Sequence, residues 1–293
     1  MGRAPRSEVR RLAFFFALGT LAALLPVCFF FGFTIDDALI PARYAHHVAT
    51  GHGYAFNVGG PVTDGVTPLG FVYLLVPFAR SGPLGALAAA RYGGAALWLL
   101  ASGSLGIAID RVGGSKARFV GLAIVAASAP LGAWAGAGLE TPLATAFITG
   151  GLVLRSFGRA SASALLLGLA AGLRPEVLPL SLALAFPAPV RIDDRADRGD
   201  ERDEPPAKIG PHHFARLAIA GTPFVVIALI RFFVFGRPAP LSVIAKPPDL
   251  AAGAVYALAC FLLTGPLALM APLAFRKLAA WPRWLIEIGR AHV

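Results

Sequence analysis

Hydrophobic residues run along the chain in long blocks broken by short basic clusters, and that alternation sets the first expectation. Residues 12–33 carry no charge and follow Arg3, Arg6, Arg10 and Arg11. A spanning helix needs about 20 apolar residues, so this block reads as a first membrane span with a cytoplasmic N-terminus. A cleaved signal peptide would have a shorter apolar core and a small-residue cleavage site. Further blocks at 83–109, 117–134, 142–154, 160–173, 177–187, 217–235 and 251–275 complete eight predicted crossings. Arg111, Lys116 and Arg118, then Arg155 and Arg159, then Arg276 and Lys277 all fall on the side of the first four arginines. That is the bias expected of cytoplasmic loops. The expected fold is therefore an all-α polytopic bundle with a long outer loop, 34–83, and a polar cytoplasmic loop, 188–216.

Two blocks depart from the simple pattern. Residues 67–79 are apolar but too short to span, which predicts an interfacial or re-entrant helix. Residues 160–187 would bury Arg174 and Glu176 at mid-bilayer if they formed one span. Two short helices meeting at Arg174-Pro175-Glu176 are the better reading. The first, about 14 residues, is roughly 21 Å long, against about 30 Å of hydrocarbon. Arg174 and Glu176 are then expected below the outer surface, in a protein-lined cavity.

Composition removes several classes. Apolar residues make up 57% of the chain, charged residues 14%, and mean hydropathy is +0.70. Soluble domains carry about 25% charged residues, so a soluble enzyme, a disordered chain and a disulfide scaffold are all excluded. The net charge of +10 does not point to nucleic acid, because the basic residues sit between apolar blocks with few aromatics beside them. Cys28 and Cys260 lie in apolar runs and read as packing residues. The excess of Arg over Lys hints at a G+C-rich bacterial gene.

Seven of the 16 acidic residues lie in the charged stretch 191–208, a solvated linker by composition. Six others fall on the outer side: Asp36, Asp37, Asp64, Glu140, Glu176 and Asp249. Arg43, His46, His47, His52, Arg174, Arg237 and Lys246 share that side. Ionisable residues near membrane depth are costly and point to function. Asp36 and Asp37 precede a predicted helix from about Leu39 to Thr50, with Pro41 in its first turn and Gly51 at its end. Spacing leaves two readings open for them, helix capping and general-base chemistry. His46 and His47 are adjacent and face different ways, so the histidines favour a polar interfacial role over zinc. A divalent ion between Asp36 or Asp37 and a phosphate is compatible with the same residues.

Together these pieces resemble the GT-C class of multispanning membrane glycosyltransferases, nearest to the branch of the actinobacterial cell-wall terminal arabinofuranosyltransferase. The resemblance rests on Asp36-Asp37-Ala38-Leu39-Ile40, Arg43-Tyr44-Ala45, Gly51-His52-Gly53-Tyr54-Ala55-Phe56-Asn57 and Asp64-Gly65-Val66-Thr67-Pro68-Leu69. Gly138-Leu139-Glu140-Thr141, Leu173-Arg174-Pro175-Glu176 and Ala245-Lys246 add shorter matches. Asp64 stands where the family usually has Glu, and Leu241-Ser242-Val243 replaces its usual Leu-Pro-Asn-Thr. The resemblance implies transfer of a sugar from a polyprenyl-phosphate donor to a glycan, lipid or protein acceptor on the periplasmic face of the inner membrane. Asp36 or Asp37 would act as general base. Lys246 and Arg174 would stabilise the departing phosphate. Arg43, His47, His52, Asp64, Glu140 and Glu176 would line the substrate cavity. The competing reading is a transporter or flippase fragment for an anionic lipid-linked substrate. It does not account for a long outer segment rich in Asp and His directly after the first span.

The final residues, 287–293, back-translate into a string resembling a common sequencing-adapter start. They read as an artefact, and residues 1–286 as the N-terminal transmembrane module of a longer enzyme.

Overall fold

The computed structural model describes residues 6–112, 121–122, 129–185, 210–241, 250–255 and 258–259. Among the described residues the regular structure is helical, apart from one isolated β-bridge between Ala55 and Val62. The α-helices are α1 (Arg6–Phe29), α2 (Leu39–Ala49), α3 (Leu69–Leu75), α4 (Pro83–Val112), α5 (Ala129–Gly136), α6 (Thr141–Ser156), α7 (Ala160–Leu173), α8 (Leu178–Ala185) and α9 (Pro211–Phe235). Short 3₁₀ turns precede α2, follow α3 and join α7 to α8.

Among the described residues, three helices, α1, α4 and α9, are long and apolar enough to cross a membrane. They mark a multi-pass membrane protein. The expectation of eight crossings is corrected accordingly. At 1.5 Å per residue, α6 (16 residues), α7 (14) and α8 (8) are roughly 24, 21 and 12 Å long, short of about 30 Å of hydrocarbon. Gly158, with φ +74°, breaks the chain between α6 and α7. Arg174-Pro175 breaks it between α7 and α8, because Pro175 disfavours helical backbone at Arg174, whose φ is −132°. Residues 117–134 and 251–275, two of the expected spans, lie largely outside the described residues.

Several of the basic residues between the blocks meet at one end of the bundle. Arg11 pairs with buried Asp110 at 3.0 Å, and Arg111 pairs with Glu8, so the start of α1 meets the end of α4. Arg111 also stacks on Phe157, 4.0 Å from its ring centre, just past α6. Arg155 donates to the Leu184 carbonyl at the end of α8. Arg11, Arg111 and Arg155 therefore gather at one end of the bundle, with Glu8 and Asp110 as partners, and Asp36, Asp37, Glu140 and Glu176 lie at the other.

Small residues bring α1 and α4 together. A Cβ on Gly19 would meet the Ser102 carbonyl oxygen, and one on Gly106 would meet the Phe15 carbonyl oxygen. Such backbone contact is the usual packing device of membrane helices. A second close approach joins α7 to α9, where a Cβ on Gly168 would fall 2.5 Å from the Ala220 carbonyl oxygen.

The segment between α1 and α4 folds on the carboxylate end. Tyr44, Val72, Leu75 and Ala86 belong to one buried cluster that joins α2, α3 and α4. Helix α2 ends as expected: Gly51 adopts φ +80°, and His52 N–H donates back to the His47 carbonyl at 2.8 Å. The apolar piece expected at 67–79 appears as α3 and its 3₁₀ extension.

By chain contacts the protein divides into two units: residues 1–185 with 215–246, and residues 186–214 with 247–293. In the second, His213 accepts from the Gly210 N–H at 2.8 Å, and the His212 and His213 rings lie 3.8 Å apart.

Candidate functional site

Asp36 and Asp37 begin the 3₁₀ turn Asp36–Ala38, directly beyond the end of α1, and both are exposed. Neither caps α2, whose N-cap is Ala38 without a side-chain hydrogen bond. Their side-chain bonding among the described residues is local: Asp37 N–H donates to Asp36 Oδ1 at 3.0 Å. Of the two readings left open by spacing, the side-chain cap is not made.

The backbone around them is fixed from two sides. Thr34 donates its hydroxyl to the Ala137 carbonyl at 3.0 Å. Arg91, inside α4, donates Nε to the Gly136 carbonyl at 3.1 Å and Nη2 to the Phe31 carbonyl. Those carbonyls follow α1 and end α5, where the helix field favours a cation. Gly138, at φ +92°, allows the close approach, since a Cβ there would stand 3.2 Å from Ala38 Cβ and 3.3 Å from Arg91 Cγ.

Two residues further on stands Glu140, which is buried. Arg174 Nη1 donates to Glu140 Oε1 at 2.8 Å and to the Thr141 hydroxyl at 3.0 Å, while its Nε donates to Glu176 Oε1 at 2.7 Å. One guanidinium thus joins the α5–α6 connection to the α7–α8 turn and carries two carboxylates. Burial pushes the Glu140 carboxyl above its ordinary range, against the pull of Arg174. Burial alone would raise Glu176 too, but a backbone hydrogen bond and Arg174 hold it below. Burial would weaken the charge on Arg174, but Glu140 and Glu176 strengthen it.

The other expected residues take separate places. Asp64 is buried and receives Arg231 Nε at 2.8 Å; Arg231 also donates to the Val66 and Thr67 carbonyls. Burial pushes the Asp64 carboxyl up, and Arg231 opposes that shift. Arg43 is exposed, bonded to Asn57 at 3.0 Å and stacked 4.5 Å from the Phe56 ring centre. The histidines are engaged with neighbours. His46 meets the Ala79 carbonyl and buried His47 the Ala55 carbonyl, each at 2.7 Å. His52 meets the Thr50 hydroxyl at 2.8 Å. Among the described residues, no three His, Cys, Asp or Glu side chains gather as a metal site. Lys246 and Asp249 lie outside the described residues.

The structure therefore brings Asp36, Asp37, Glu140, Arg174 and Glu176 to connected loops at one end, and sets Asp64 apart with Arg231. Sequence reasoning missed Arg91 and Arg231. Each is the one cation inside an apolar block, 83–109 and 217–235, and an ionisable residue in such a block is itself a signal.

Burial also pushes the Tyr54 phenol far above its ordinary range, with nearby Asp64 adding to the shift. Comparison with known proteins gives no match to a family model, a curated protein or a solved structure.

Proposed function

We propose that the chain is the membrane module of a glycosyltransferase. It would move a sugar from a polyprenyl-phosphate donor to an acceptor hydroxyl on the outer face of a bacterial inner membrane. The observation that carries this reading is the state of Asp36 and Asp37: two exposed carboxylates, not used as caps, on a fixed turn at the end of a spanning helix. That is where a group must stand to meet both a lipid-borne donor and a water-borne acceptor.

In this reading one of the two aspartates removes the proton from the acceptor hydroxyl. The freed oxygen attacks the anomeric carbon, the bond from that carbon to the phosphate oxygen breaks, and the lipid phosphate leaves with the electron pair. Lys246 takes up charge on the phosphate, and Arg174, whose charge is shared with Glu140 and Glu176, adds hydrogen bonds to it. The donor's tail stays in the bilayer, which orients its head. A divalent ion held between an aspartate and the phosphate would supply further charge stabilisation.

The test is sugar transfer by the full-length protein in vesicles supplied with polyprenyl-phosphate sugars. Asp36→Asn or Asp37→Asn is expected to abolish transfer while leaving membrane insertion, read by protease protection, unchanged. Full activity in both single variants and in the double variant would overturn the base assignment. Movement of the lipid-linked substrate across the bilayer without sugar turnover would overturn the transferase reading.

A further inference from the structure

Arg174 and Glu176 stand two residues apart between α7 and α8, and Pro175 restricts the backbone between them. The N–H groups of the guanidinium divide into two sets. Nη1 serves the fold: it donates to buried Glu140 and to the Thr141 hydroxyl, and so ties this turn to the start of α6. Nε donates to Glu176 Oε1 at 2.7 Å, a contact within one turn that joins no separate elements. Glu176 is 60% exposed, and an exposed ion pair contributes little to stability. The fold therefore does not require a carboxylate at this position.

Two groups stay open to a ligand. The Arg174 side chain is 34% exposed, and its Nη2 has no hydrogen-bond partner among the described residues and is not sealed from solvent. Glu176 Oε2 accepts from no other side chain among the described residues. The pair thus offers a donor and an acceptor side by side. The turn of Asp36 and Asp37 is close by: a Cβ on Gly138, two residues before Glu140, would stand 3.2 Å from Ala38 Cβ. Charge limits what can occupy the pair. Glu140, Arg174 and Glu176 sum to −1, so the cation is already neutralised. A phosphate at Nη2 would lie beside the Glu176 carboxylate, and the two repel unless a hydrogen-bond donor stands between them. A glycosyl phosphate diester carries such donors only on its sugar, and the nearest to the phosphate is the hydroxyl on the carbon next to the anomeric carbon. The acceptor hydroxyl is not that group, because in a single displacement it enters opposite the departing phosphate.

We infer that Glu176 selects the donor: it accepts the hydroxyl next to the anomeric carbon while Arg174 Nη2 donates to the phosphate, so the sugar transferred is one with a free hydroxyl at that carbon. The hydroxyl keeps its proton, and no bond is made or broken at Glu176. Its hydrogen bond strengthens as positive charge develops at the anomeric carbon, so the contact favours the transition state over the bound donor. The inference rests on the transferase reading and uses neither of the proposed catalytic aspartates.

The experiment is sugar transfer by the full-length protein in vesicles, supplied with decaprenyl phosphates of arabinofuranose, mannose and glucose, the 2-deoxy counterpart of each, and decaprenyl-phosphate N-acetylglucosamine. The quantity read is kcat/KM for a hydroxyl donor divided by kcat/KM for its 2-deoxy counterpart, in the wild type and in Glu176→Ala. Comparing the two ratios cancels the intrinsic reactivity of the donors. The ratio is expected to fall about 10–100-fold in Glu176→Ala, the loss of a hydrogen bond to a charged group. A residue that only orients Arg174 would lower both donors alike, and an unchanged ratio overturns the inference while leaving the transferase reading intact. Glu176→Gln keeps an acceptor for Arg174 Nε without the charge; it should lower the ratio in part, and decides the matter if Glu176→Ala does not fold. Transfer from the N-acetylglucosamine donor alone also overturns the inference. No transfer from any donor would sink the transferase reading itself, and the inference with it.

Discussion

Arg174 Nη1 lies 2.8 Å from Glu140 Oε1, and this contact spans 34 residues of sequence to join the start of α6 to the turn between α7 and α8. The same guanidinium holds Glu176, so three charges form a unit with a net charge of −1. Glu140 is the buried member; Glu176 is 60% exposed.

The two carboxylates give opposite pH dependences. Folding raises the pKa of Glu140, so the folded chain binds more protons in the window just above its ordinary value of 4.5, and stability falls as pH rises through that window. Folding lowers the pKa of Glu176, so its contribution is present above pH 4.5 and is lost as pH falls. Glu140→Gln should therefore flatten the decline above pH 4.5, and Glu176→Gln the decline below it. Melting temperatures from pH 3 to 7 in detergent check both; an unchanged profile in Glu140→Gln contradicts the assignment.

Arg231→Met is expected to destabilise strongly, by about 3–5 kcal/mol, because it leaves a buried carboxylate without its cation. Asp64→Asn combined with Arg231→Met should recover most of that loss. A double-mutant cycle on thermal stability measures it, and additivity of the two changes would show that the ions do not act as a pair.

Gly19→Val should separate α1 from α4, since its first side-chain atom collides with the Ser102 carbonyl. Overpacking of this kind costs about 1–3 kcal/mol or more. Gly221→Ala is the control, with nothing within 4 Å of the added Cβ, and should be neutral or slightly stabilising. The yield of folded protein in fluorescence-detected chromatography distinguishes the two.

Arg91→Ala removes the donors that hold the Phe31 and Gly136 carbonyls and should loosen the turn carrying Asp36 and Asp37. Hydrogen exchange at residues 34–38 and 136–140 is expected to rise, with Arg91→Lys intermediate because lysine lacks the planar fork. Unchanged exchange in Arg91→Ala would show that Thr34 and the packing at Gly138 suffice.

Much of the local structure was legible from pattern and punctuation. Helix α7 begins and ends where the apolar block 160–173 does, and Gly51 ends α2 through its left-handed backbone. The number of crossings was not legible in this way. Apolar blocks were counted as spans, but helices of 16, 14 and 8 residues, separated at Gly158 and Pro175, are too short to cross about 30 Å alone. The basic clusters at Arg11, Arg111 and Arg155 do meet at one end of the bundle, because charge placement does not depend on length. At the site, residue types were informative but partners were not. Asp64 was grouped with Asp36 and Asp37 by position along the chain, whereas its actual neighbour is Arg231, which was read only as part of an apolar block. A pairing across 167 residues leaves no local trace in the sequence.

That separation also imposes an order on assembly. At about 5–20 residues per second, the ribosome reaches Arg231 roughly 8–30 s after it has made Asp64. Throughout that interval the carboxylate has no cation to bury against, and water remains its better solvent. The segment carrying it therefore waits in an open state until α9 is made, and its closure is a late event of biogenesis. Any stall between α8 and α9 would prolong the stage at which this end of the bundle is exposed to proteases and chaperones.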